Sequence, residues 1–507
     1  MLKPACLLSA AIAIAATPVL AQGGPIQPAP LDPAIAQAIA QISSDMVHAD
    51  IEKLVSFHNR STLSSMDTDL PPGTGITAAA DWLFAEYTKI SAACGGCLEV
   101  KRDDFIEPAS HAPGSRITRD TRLQNIYAVL KGTDPAQASR RILVTGHYDS
   151  RGNDVSDTHG GAPGANDDAS GVAVSLESAR VLSKLKFPAT IVFAAVAGEE
   201  EGLNGSKHLA KLAKSEGWSL EAVLNNDIVG GDTTPGQTGQ DKSAVRVFSE
   251  GVPAPATIEQ LHTLQTYGYE SDSPSRELAR AIAEVASTYL HDTQKRPPST
   301  APGHPVSHVI LLVPAFHPVL EFRRDRFGRG GDHTSFNQEG FAAVRFTEWQ
   351  ENFDHQHQTP RTEMGTLQDG SKGMIEYADL LKYVDPAYVA NVARLNSAAL
   401  ATFASAPGMP VNVTIPGGSS DNNSIISWKA PEGAPAGTTY EVVWRPTEAP
   451  TWTQVQSAGT ALSLKLPVSK DNVIFGVRSV DPAGHRSPAV VPTPGRRAGA
   501  PPPPPGL

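Results

Sequence analysis

Five short segments bring histidines and carboxylates to the ends of apolar runs. In Thr145-Gly146-His147-Tyr148-Asp149-Ser150 the imidazole directly follows the apolar residues 142–145, and Asp149 stands two positions further on. Residues two apart on an extended chain face the same side. Asp149 can therefore reach back to His147 and hold its tautomer, as carboxylates behind metal-bound imidazoles do. The second segment, Gly164-Ala165-Asn166-Asp167-Asp168-Ala169-Ser170-Gly171, runs into a helical pattern. Asp168 is placed to cap that helix, which leaves Asp167 as the ligand candidate. Glu199, Glu200 and Glu201 follow the apolar run 189–196, Asp227 follows 222–224, and Asp332-His333 closes a Gly-rich loop that starts at Gly328.

Two histidines and at least three carboxylates suit zinc, which accepts imidazole nitrogen and carboxylate oxygen. Asp167, Glu200 and Asp227 with one hydroxide would balance two divalent ions beside neutral His147 and His333. One ion among the same acids would leave the pocket strongly negative. Serine hydrolysis and a thermolysin-like helix are unsupported, because the chain contains neither Gly-x-Ser-x-Gly nor His-Glu-x-x-His.

The elements that must position these groups alternate. Between residues 33 and 405, strand-length apolar runs at 142–145, 189–196, 222–224, 306–313 and 341–346 are separated by helical stretches at 170–184, 206–214 and 275–291. This predicts an α/β domain, a mixed and mostly parallel sheet covered by helices on both faces. Such sheets bind ligands beyond the carboxyl ends of their strands, where all five segments fall. After a linker at 406–410 the texture changes to strand-like runs at 411–415, 424–428, 440–444 and 473–480. These predict an all-β sandwich over 410–490, followed by a Pro-rich tail at 491–507. Trp428, Tyr440, Trp444 and the 473–484 pattern resemble a fibronectin type III module, whose partner is left open between a carbohydrate, a protein and the α/β domain itself. Every candidate site residue precedes Ala406, so the α/β part is expected to fold without the sandwich.

Residues 1–21 have the layout of a secretory signal: a positive start, a short apolar run and a small residue before Gln22. The expected location is therefore secreted or periplasmic, with no membrane span. A net charge of −11 with scattered acids speaks against nucleic acid as a partner. Cys94-Gly95-Gly96-Cys97 is expected to form a local disulfide in an oxidising compartment.

Taken in order, Gly146-His147-Tyr148-Asp149-Ser150, Gly164 to Gly171, Gly198-Glu199-Glu200-x-Gly202-Leu203-x-Gly205-Ser206, Asn226-Asp227 and Asp332-His333 resemble metallopeptidase family 28, the co-catalytic di-zinc aminopeptidases of the bacterial leucyl-aminopeptidase type. The resemblance covers residues 33–405 and implies a fold of the zinc exopeptidase type. It implies that His147 and Asp227 hold one zinc, that Glu200 and His333 hold the other, and that Asp167 bridges them. Asp149 would orient His147, and Glu199 would be the general base. His355-Gln356-His357-Gln358-Thr359-Pro360 resembles a family loop that carries His directly before Thr-Pro. Gln358 occupies that place here, so neither histidine is assigned a role. The implied substrates are peptides with a free N-terminus, since an acidic pocket with only Arg329 nearby favours an amine over a carboxylate. A carboxypeptidase, a deacylase or a single-zinc glutaminyl cyclase is the alternative on the same architecture.

Overall fold

The computed structural model describes residues 23–237, 239–295, 310–367, 370–417 and 421–495. The signal-like segment and most of the Pro-rich tail lie outside the described residues. The α/β part is built on an eight-stranded sheet. Its centre is four parallel strands in the order Ala343–Glu348, Ser219–Asn226, Arg140–His147 and Thr190–Val196. Thr121–Leu130 and Leu98–Glu107 extend one side antiparallel. Ala244–Ser249, antiparallel to Ala343–Glu348, and His317–Glu321 extend the other. The sheet is thus mixed, with a parallel core.

Both faces of the central strands are buried, and their apolar residues alternate between two cores as a pleated strand requires. Ile191, Phe193 and Ala195 join Ile142 and Val144 in the larger core, under the helices Ser44–Val55, Gly75–Ala93, Ala169–Leu182 and Pro386–Ser405. Val192, Ala194 and Val196 join Leu143 and Val223 on the opposite face, under Leu209 and Ala213 of the helix Asn204–Ser215. The helix Ala169–Leu182 lies against the strand carrying His147. A side chain at Gly171 would put its Cβ 2.2 Å from the Asn226 carbonyl, and one at Gly146 would meet the Gly171 backbone at 2.5 Å. Glycine at both positions allows that approach.

One strand expectation fails. The part of 306–313 that is described belongs to Ile310–Pro314, which pairs with His291–Lys295 in a separate two-stranded sheet. Ala244–Ser249 and His317–Glu321 occupy the sheet edge instead.

The C-terminal residues form two four-stranded sheets, one of which recruits Gly24–Pro25 from the other end of the chain. Trp428, Tyr440, Val442, Trp444, Phe475 and Val477 fill the space between them. This sandwich is not a loose appendage. Arg445 pairs with Asp272, the Trp452 indole donates to Glu277 Oε2 at 3.1 Å, and Arg280 Nε donates to the Pro450 carbonyl at 2.8 Å. Each of these side chains is buried on or beside the helix Pro274–Tyr289. Among the described residues no helix is long and apolar enough to cross a membrane. Cys94 and Cys97 are joined by a disulfide.

Candidate metal centre

The four central parallel strands each deliver one potential ligand at the carboxyl edge. His147 ends Arg140–His147, and Asp227 follows Ser219–Asn226 directly. Glu200 lies four residues beyond Thr190–Val196, and His357 nine beyond Ala343–Glu348. Asp167 reaches the same place from the loop before the helix Ala169–Leu182.

These five side chains form two groups that share Asp167. His147 Nε2 lies 3.1 Å from Asp167 Oδ1 and 3.8 Å from Asp227 Oδ1. His357 Nε2 lies 2.9 Å from Asp167 Oδ2 and 3.1 Å from Glu200 Oε1. The two carboxylate oxygens of Asp167 therefore face different groups. Ligand atoms about 2.0 Å from one tetrahedral zinc ion stand roughly 3.3 Å apart, which matches most of these separations. His147 Nε2 and Glu200 Oε1 are buried and make no hydrogen bond among the described residues. Buried polar atoms left without partners are costly, and a cation between them removes that cost. The donor set fits zinc.

The electrostatics agree. Burial would lower the His357 imidazole, but the Glu200 and Asp167 carboxylates beside it push it up to about 10. Burial likewise works against His147, yet Asp149 above all, then Asp167 and Asp227, hold it well above an ordinary histidine. Burial alone would raise the Asp167 carboxyl; His147 and His357 hold it well below its usual range. The acids demand positive charge here, which a metal supplies by displacing protons.

Further groups fix the ligands. His147 Nδ1 donates to the Asp149 backbone carbonyl at 3.2 Å, leaving Nε2 as the free lone pair. The Asp149 carboxylate is 3.5 Å from that ring, and its Oδ2 accepts the Glu200 N–H at 3.0 Å. Asp149 thus positions both groups, the second through backbone. Asp168 caps its helix by accepting from Gly171 and also accepts the N–H of His147 and of Ile228. Asp379 accepts the N–H of Asn166 at 2.8 Å and of Asp167 at 2.7 Å. Arg345, fully buried, stands 2.9 Å from Asp227 Oδ1. Arg151 donates to Glu200 Oε2 at 2.8 Å and lies 2.6 Å from His357 Nδ1. A guanidinium donating to Nδ1 places the neutral ring's proton on Nε2. Ligation through Nε2 therefore requires Arg151 to give up that contact.

His333 is the expected ligand that the structure does not bring in. It begins the short helix His333–Gln338, and its Nε2 donates to the Arg324 carbonyl at 2.8 Å, with Asp325 at 3.6 Å. The ring anchors the 324–325 loop and belongs to neither group. His357 stands in its place, one residue earlier than the pattern before Thr359-Pro360 suggests. Its backbone is left-handed, with φ +57°. The signal for it was the two histidines after a buried strand. Asp379, Arg345 and Arg151 carried no comparable signal.

Glu199 lines the cavity beside the two groups but belongs to neither. Desolvation pushes its carboxyl well above the ordinary range, opposed by His147 and reinforced by Asp227, Glu200 and Asp332. The cavity measures about 840 Å³, and Gly114, Arg116, Gly328, Arg329 and Phe353 also line it.

A parallel-centred sheet with paired His-carboxylate groups at its carboxyl edge defines an α/β protein with a candidate two-metal centre. Residues 125–294 match peptidase family M28. Over 473 residues, 93% of this chain and 99% of its relative, the chain is 41% identical to a probable zinc metalloprotease of Leptosphaeria maculans. The chain belongs to peptidase family M28 and is a zinc-dependent peptidase. Among solved structures, the Legionella pneumophila LapA aminopeptidase is 18% identical with a TM-score of 0.47, over 75% of this chain and 77% of its own. Porphyromonas gingivalis glutaminyl cyclase is 16% identical with a TM-score of 0.43, over 71% and 98%. At that distance neither bears on the chemistry.

Proposed function

We propose that the protein is a two-zinc aminopeptidase, releasing single residues from the N-termini of peptides. One observation carries the metal count: Asp167 turns one carboxylate oxygen toward the His147–Asp227 group and the other toward the Glu200–His357 group. His147, Asp167 and Asp227 would hold one ion; Glu200, His357 and Asp167 would hold the other. When bound, the metal supplies Lewis acidity and lowers the pKa of water. Glu199 takes the proton of the attacking water on its carboxylate and returns it to the leaving amine. Arg345 and Arg151 hold Asp227 and Glu200 in place.

A carboxypeptidase is the second reading. The sequence suggested one nearby cation, whereas Arg116, Arg151, Arg326 and Arg329 all line the cavity. A ten-residue peptide separates the two. N-acetylation should abolish removal of its first residue; trimming of the acetylated peptide from its C-terminal end would establish the carboxypeptidase instead. Metal analysis of the undialysed protein should give two zinc ions per chain, and one ion under zinc saturation would refute the bridging role of Asp167. We further propose that the protein is secreted or periplasmic, which the Cys94–Cys97 disulfide supports, and that the sandwich is fibronectin type III-like. Mass spectrometry of the mature N-terminus tests export, with cleavage after Ala21 as the expected result.

A further inference from the structure

The cavity carries more guanidinium than the proposed chemistry uses. Of its four arginines, Arg151 is committed to Glu200, and Arg326 to Asp325 and Glu351. Glu351 is itself shared among three arginines. Arg326 Nη1 stands 2.8 Å from it, Arg246 Nη2 3.1 Å and Arg329 Nη1 3.4 Å. Arg329 has the longest of these contacts, and among the described residues its guanidinium's only other hydrogen bond is from the same nitrogen to Gln356 Oε1 at 3.2 Å. Its Nε and Nη2 are unengaged among the described residues. Phe353 lies beside the guanidinium, 5.9 Å from ring centroid to Cζ. Arg116 makes a single hydrogen bond, from Nη1 to the Glu200 carbonyl, and no ion pair among the described residues.

Both side chains therefore present unused donors to the cavity that holds Asp167, Glu199 and Glu200. Once cations offset the ligand carboxylates, the charge left on these walls is positive. An anion leaving water for such a cavity needs a partner, and a guanidinium edge binds a carboxylate through paired charge-assisted hydrogen bonds.

We propose that Arg116 and Arg329 select substrates bearing a carboxylate near the cleaved bond. That carboxylate belongs to an acidic side chain or to the free C-terminus of a very short peptide, and the test separates the two. This assignment of substrate class rests on the peptidase reading above.

The test compares kcat/KM for the intact zinc-loaded enzyme on four probes: Leu-Glu, Leu-Gln, Leu-Gln amide and the neutral leucine p-nitroanilide. Leu-Glu against Leu-Gln isolates the side-chain carboxylate, and Leu-Gln against its amide isolates the terminal one. The wild type should favour the carboxylate-bearing member of at least one pair by about 10- to 100-fold, the range for a hydrogen-bonded charge. In Arg329→Gln and Arg116→Gln that ratio should fall by about tenfold or more, mainly through KM, and Arg329→Lys should restore part of it. Equal rates within both pairs, or variants that leave the ratios unchanged, would overturn the proposal while the anilide still reports peptidase activity. Failure to cleave any of the four would overturn both this proposal and the aminopeptidase reading.

Discussion

Glu199 and His357 are the two residues whose roles a single substitution separates most sharply. Glu199 faces the cavity without belonging to either ligand group. Glu199→Gln should lower kcat by about 10²–10⁴-fold, the usual range for losing a general base, while zinc content by metal analysis stays at the wild-type value. Loss of zinc would mean that the Glu199-Glu200-Glu201 run is read one position out of register. The histidines make the complementary test. His357→Ala removes the only imidazole facing Glu200 Oε1 among the described residues and should cost one zinc ion per chain together with activity. His333→Ala removes an anchor of the 324–325 loop and should keep both ions. Metal analysis of the two variants side by side decides between the resemblance and the geometry.

At the scale of elements, the site works because a strand edge and a helix start are tied together through backbone. The loop from Gly164 to Asp168 must hold Asp167 between two groups, and Asp379 fastens it by accepting two consecutive N–H groups. Asp379 is buried and its carboxyl is raised to about 7, chiefly by desolvation. Asp379→Ala leaves both N–H groups without that acceptor. It should weaken zinc binding or activity by about 10–100-fold, as losses behind metal ligands do, measured by competition with a chelator and by kcat/KM. Wild-type zinc affinity and kcat/KM in the variant would show that the loop is held by its other contacts, among them Arg60 donating to the Pro163 and Gly164 carbonyls.

At the scale of the whole molecule, the sandwich covers charged groups of the α/β part and adds partners to them. Asp272, Glu277 and Arg280 are all but fully buried where the two parts meet, with Arg445 and Trp452 completing the network. Breaking a buried ion pair costs about 3–5 kcal/mol, so Arg280→Ala should lower the unfolding free energy in urea by that amount. A chain ended after Ala406 should still fold, as the site positions suggest, but be less soluble and melt lower than the intact protein. A truncated chain with an unchanged melting temperature would show that these residues re-satisfy themselves with water.

The sequence by itself determined the architecture and most of the side chains that meet in the two groups. Strand-length apolar runs read as central strands of a covered sheet, with the polar groups directly after them at its carboxyl edge, and of these runs only 306–313 misled. His147, Glu200 and Asp227 were legible for that reason, as was Asp167, since Asp168 stood where the helix needed its cap. Only the tertiary structure decided between His333 and His357. Both lie in loops near the same edge, and which ring turns inward depends on a left-handed backbone at His357 and on the Arg324 carbonyl that claims His333. Asp379, Arg116 and the interdomain network were likewise invisible. Their roles arise from contacts between residues far apart in the chain, which local periodicity does not encode.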